Sequence, residues 1–229
     1  MIPASKSPKE IWWRIILVTF LAVAFGYNEA AVVVYLRDIF HSGGFVFPLK
    51  EFPIESGKMI FVEMGREAAT LIVILSVSLL AGKNRHQRVA YFMIIFAVWD
   101  IFYYIFLKAI IGWPATIMDW DVLFLIPIAW AGPVAAPIVV SAAMIFFAGI
   151  ILYCDFKDRP VKVTGWDAAG FGIAGLIIVI SFCIAGKYMT HPEYYDHFSW
   201  ALFGVGMIGA IPIFAKCLYK KKTPGEAGG

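Results

Sequence analysis

The chain has 229 residues, of which 61% are hydrophobic and only 15% charged, with a mean hydropathy of +0.80. A soluble globular domain is excluded, because the apolar residues come in runs long enough to cross a bilayer and leave too little polar surface for water. The net charge of +3 is small, and no basic face interleaved with aromatics is present, which argues against nucleic acid as a partner.

Six segments read as transmembrane α-helices, at about 11–36, 59–81, 89–111, 133–154, 166–187 and 198–219. About 20 residues at a rise of about 1.5 Å each cover a hydrocarbon core of roughly 30 Å. Membrane strands would alternate apolar and polar residues, and these runs do not. The expected fold is therefore an all-α polytopic membrane protein, with residues 1–229 forming a single transmembrane domain.

The first segment follows Lys6 and Lys9 and contains Ala22-Val23-Ala24, a signal-peptide-like pattern. Apolar character resumes after Gly26–Glu29 and runs through Val34, so the segment is a span, and it carries Tyr27, Asn28 and Glu29. The loop at 37–58 sets Phe45, Phe47 and Phe52 among Gly43, Gly44, Pro48 and Pro53, a composition that predicts folding over the bundle. The second segment carries Glu63, Arg66 and Glu67, with Glu63 and Glu67 one helical turn apart and Thr70 next along that face. In the third, Asp100, Tyr104 and Lys108 form a stripe at four-residue spacing, with Tyr103 beside it.

The stretch from Trp120 to Cys154 is too long for one span and too short for two, and Pro127, Pro133 and Pro137 interrupt it. A short helix or re-entrant piece at about 119–130 is expected, lying at the outer face and resting on protein. The fifth and sixth segments contain Gly170-Phe-Gly172-Ile-Ala-Gly175 and Gly204-Val-Gly206-Met-Ile-Gly209. Neither opens a βαβ unit, so these glycines predict close helix approach rather than a dinucleotide site. Cys154, Cys183 and Cys217 lie in or at the ends of apolar segments with no CxxC spacing, as small packing residues do.

Lys and Arg are distributed 13 to 4 between the two sides of the bundle, leaving Arg66 and Lys108 within spans. That bias predicts that both termini are in the cytoplasm, and the expected location is the plasma (inner) membrane. Tryptophans agree, with Trp12, Trp13 and Trp166 at the inner interface and Trp113, Trp120 and Trp200 at the outer one. The run Lys220–Lys222 reads as an anchor at the anionic inner leaflet.

His41, His86, His191 and His197 all fall in predicted loops, so a haem held between helices is not expected, and no other cofactor is indicated. The loop from His191 to His197 has metal-ligand residue types at a spacing that fits no metal motif. No Ser/His/Asp or Cys/His arrangement and no phosphate loop is present, so an enzyme is not the favoured class.

The charges inside the first three segments carry the functional signal. An ionisable residue at the centre of a span costs about 3 kcal/mol on insertion scales, so six of them must meet one another. Glu29, Glu63, Arg66, Glu67, Asp100, Tyr104 and Lys108 all fall in the outer half, which predicts one buried polar cluster. Packing the second and third spans together brings Arg66 towards Asp100, with Glu29 closing the site. Four carboxylates against two cations leave an excess of negative charge that protons or a bound cation must offset. The expected function is proton-coupled or cation/small-solute binding or transport. The competing account makes the cluster a set of structural ion pairs in a non-catalytic subunit, with other membrane subunits or further copies of the chain as partners.

Overall fold

The computed structural model describes residues 8–40, 45–49 and 57–219. Six helices are long and apolar enough to cross a membrane: α1 (Pro8–Phe40), α2 (Gly57–Ala81), α3 (Arg85–Ile111), α4 (Ala135–Phe156), α5 (Gly165–Gly186) and α6 (Trp200–Tyr219). They correspond to the six predicted segments. The main difference in extent is α1, which continues to Phe40 and so includes Arg37. The predicted anchor at Lys220–Lys222, the glycines at 43 and 44, His41, and Phe52 with Pro53 lie outside the described residues.

Helix ends are set by local chemistry. Asn84 caps α3 by accepting from the backbone N–H of Gln87, and Gly112 ends that helix in the left-handed conformation at φ 71°. Thr164 and Asp167 form a reciprocal capping box at the start of α5. At the end of the bundle that bears the N-terminus, Asp155 of α4 accepts from Asn84 Nδ2 at 3.0 Å and Gln87 Nε2 at 2.9 Å. This buried carboxylate ties the end of α4 to the start of α3.

Of the two forms expected at about 119–130, a short helix or a re-entrant piece, the helix is not formed. Strands β1 (Trp120–Phe124) and β2 (Trp130–Pro133) build an antiparallel hairpin instead, with Trp120 opposite Pro133 and Phe124 opposite Trp130. The sequence Trp-Asp-Val-Leu-Phe is rich in β-branched and aromatic residues, and Pro127 in the connection disfavours a continuous helix. Strand pairing satisfies backbone groups that a non-helical segment at this depth must not leave bare. The hairpin wedges between α5 and the α1–α3 group. At Gly186 a Cβ atom would fall 2.0 Å from the carbonyl oxygen of Ala129, so only glycine lets α5 close on the hairpin.

Two apolar cores result. One, centred on Ala22, Ile74, Tyr91, Ile95, Leu152 and Phe214, joins α1–α4 with α6 towards the N-terminal end. The other, at the far end, gathers Trp120, Ala131, Phe182, Phe198 and Phe203 around the hairpin. Trp120 is therefore buried in this second core rather than facing an interface, whereas Trp12, Trp13 and Trp166 are exposed. Of the glycines in α5 and α6, Gly170 and Gly206 sit at the contact between the two helices, while Gly172, Gly175, Gly204 and Gly209 face open space.

Candidate functional site

A cavity of about 160 Å³ opens at the far end of the bundle, between α1, α2, α3, β1 and the segment 45–49. Arg37, Glu63, Arg66, Glu67, Tyr103 and Asp121 line it among apolar side chains that include Val33, Phe45 and Leu49. The segment 45–49 thus folds over the bundle, held by Leu49 N–H donating to Met189 O at 2.9 Å.

Helical spacing on α2 sets the first group. Arg66 lies three residues beyond Glu63, so Nε and Nη2 reach one carboxylate oxygen of that residue at 2.9 and 2.7 Å. Its Nη1 forms an ion pair with Glu29 of α1. Thr70, one turn beyond on α2, donates to the other Glu29 oxygen at 3.4 Å. Gly26 lets α1 pack closely on α3, since a Cβ there would lie 2.9 Å from Trp99 O. One guanidinium therefore serves two carboxylates from two helices.

The second group joins α1 to the hairpin. Arg37 Nη2 donates to Asp121 Oδ1 at 3.0 Å, and both side chains are almost wholly buried. The guanidinium carbon sits in the corner formed by the perpendicular rings of Phe45 and Trp113, at 3.9 and 3.8 Å from their centroids. Tyr103 donates to Asp121 Oδ2 at 3.2 Å, and Val122 N–H donates to Oδ1 at 3.0 Å. A buried pair with this many additional partners is fixed in place.

Glu67 stands apart from both groups. It is 6% exposed, lines the cavity, and accepts from the Leu125 backbone N–H through both oxygens, at 3.0 and 2.9 Å. Among the described residues it makes no ion pair. Burying a carboxylate without a counter-charge is costly, so a proton or a bound cation is what this position calls for.

The remaining predicted residues are placed elsewhere. Asp100 accepts from Ser141 Oγ of α4 at 2.8 Å, while Arg66 is taken by Glu29 and Glu63, so the expected approach of Arg66 to Asp100 does not occur. Tyr104 is buried against Tyr103 and Trp113. Lys108 turns to the end of its own helix, donating to Gly112 O at 3.1 Å and Pro114 O at 2.7 Å on the exposed surface.

Three participants escaped the sequence reading. Arg37 reads as a loop cation when α1 is ended at residue 36. Asp121 falls in a stretch expected to be an interfacial helix, and Ser141 is a single hydroxyl in an apolar run. One signal pointed to Arg37, a cation directly after an apolar span; Asp121, two residues from Asp119, carried no distinguishing one.

Among the described residues, no three His, Cys, Asp or Glu side chains converge as a metal-ion site would require. The site thus pairs two occupied guanidinium groups with one carboxyl that has only a backbone partner. Comparison of the chain with protein-family models, with curated proteins and with solved structures found no match, so chemistry alone must supply the functional reading.

Proposed function

We propose that this is a multi-pass membrane protein of the plasma (inner) membrane, with cytoplasmic termini, that binds and transports a small solute or cation with coupled protons. The outer-half cavity between helices α1–α3 and the hairpin is the binding site. Glu67 exchanges the proton or meets the cation, and the Glu29–Arg66–Glu63 and Arg37–Asp121 pairs shape the walls. The charge bias across the bundle supports the orientation, since cytoplasmic flanks collect Lys and Arg.

The observation that carries the reading is the buried Glu67 carboxyl on a cavity wall, held by one backbone donor and without an ion-pair partner among the described residues. The other two acids on that wall are matched by cations, Asp121 by Arg37 and Glu63 by Arg66. Intramembrane ionisable residues that face a cavity mark solute and proton paths.

The test is an ion and proton flux assay in liposomes, comparing the wild-type chain with Glu67→Gln and Asp100→Asn. Flux through the wild type that Glu67→Gln abolishes supports the site. Equal flux in all three proteins would rule out transport through this cluster.

A further inference from the structure

A second cavity, of about 690 Å³, lies at the opposite end of the bundle, among α3, α4, α5 and α6. That size falls in the range of ligand pockets, about 300–1,000 Å³. Its walls are apolar, with Met93, Phe147, Ile151, Phe171 and Phe214 converging from the four helices. Only its rim is polar. His86 Nε2 hydrogen-bonds to Val161 O at 3.0 Å and fixes the loop at the mouth, where the exposed Arg85 stands.

The charge at that rim is uncompensated. Lys83 is paired with Glu10 and Lys216 with Asp167, whereas Arg85 makes no ion pair or hydrogen bond among the described residues. An apolar cavity of this size gains from filling by hydrocarbon, and a bare guanidinium at its mouth selects an anion. Both features lie where helices of membrane length end, which is the level of lipid headgroups.

We propose that this cavity is a binding site for an anionic phospholipid, with an acyl chain between α3, α4, α5 and α6 and the phosphate at Arg85. It is separate from the transport site, so either assignment can fail without the other. A soluble amphiphile would lack the membrane reservoir, and a zwitterionic lipid brings beside its phosphate a cation that Arg85 repels.

Native mass spectrometry of the detergent-purified full chain, incubated with phosphatidylglycerol or phosphatidylcholine of matched chains, tests this. The wild type retains phosphatidylglycerol about fivefold over phosphatidylcholine, the discrimination one cation near a headgroup supplies. Arg85→Gln brings the two lipids to equal retention. Ala168→Phe and Ala210→Phe, which fill the cavity from α5 and α6, each lower retention of both lipids about fourfold, the loss of one buried methylene of the acyl chain, with thermal unfolding confirming a folded chain. Because they act from different helices, a folding defect in one leaves the other to decide. Equal retention of both lipids by the wild type overturns the anion selection, and unchanged retention in the folded cavity-filling variants overturns the site.

Discussion

The backbone N–H of Leu125, just beyond β1, donates to both carboxylate oxygens of Glu67 on α2, at 3.0 and 2.9 Å. This contact makes the hairpin part of the polar site, because the cavity carboxyl without an ion pair among the described residues is positioned by a backbone N–H of the hairpin. Any change in the charge of Glu67 is therefore felt by the hairpin, and displacement of the hairpin bares Glu67.

Glu67→Gln and Glu67→Ala separate the two roles of this side chain. Glutamine keeps an acceptor for Leu125, so the thermal stability of the detergent-solubilised protein changes by less than about 1 kcal/mol while liposome flux falls to the level of empty vesicles. Alanine leaves the Leu125 N–H without its partner and lowers stability by about 1–3 kcal/mol in addition. Normal flux through the glutamine variant would remove Glu67 from the mechanism.

Arg37→Gln leaves Asp121 buried without its cation, a loss of about 3–5 kcal/mol. Replacing both partners by apolar residues, as in Arg37→Met with Asp121→Leu, recovers most of that stability. Arg37→Lys does not substitute, because the compact, strongly hydrated ammonium replaces a weakly hydrated guanidinium that lies over both Phe45 and Trp113 while donating to Asp121. Thermal unfolding of the wild type, Arg37→Met, Asp121→Leu and the double variant measures the coupling in a double-mutant cycle, and additive losses would show that the pair does not act as one unit.

Gly186→Ala tests the seating of the hairpin far from the cavity. The added Cβ collides with Ala129 O, a backbone atom that moves only with the hairpin. Overpacking of this kind lowers stability by about 1–3 kcal/mol, and flux drops even though no residue of the cavity is altered. Wild-type flux in Gly186→Ala would detach the hairpin from the site.

Ser141→Ala removes the hydroxyl that donates to Asp100 and lowers stability by about 1–3 kcal/mol in thermal unfolding. Asp100→Asn retains an acceptor for Ser141 and is milder. The order of the two unfolding midpoints, with the alanine variant below the asparagine variant, checks the assignment.

Lys108→Met affects only carbonyls at the end of α3, on the surface. Its stability loss is below about 1 kcal/mol, and its flux stays at the wild-type level, since the amine points away from the cavity. A marked flux defect would bring Lys108 back into the site.

The six helices were legible because their signal is local: each is a run of apolar residues whose length matches a bilayer, and no tertiary partner is needed to recognise it. The clustering of charge in the first three was legible for the same reason, since an ionisable residue in such a run must find a partner. Pairing was not legible. Arg66 had several carboxylates within plausible reach, and only the packing of α1 beside α2 gives it Glu29 as well as Glu63. The hairpin was also hidden, because strands so short are defined by pairing between segments, and Pro127 marks an interruption without saying what replaces the helix.

By itself, then, the sequence determined the number of apolar helices, their extents and the set of charges they carry, all of which follow from the period and length of hydrophobic runs. The tertiary structure alone decided that Arg37 and Asp121 belong to the site, that Lys108 does not line it, and that Glu67 faces a cavity with a backbone N–H as its partner. The physical reason is that burial and pairing depend on which residues distant in the chain come within about 3 Å, and no local pattern encodes that distance.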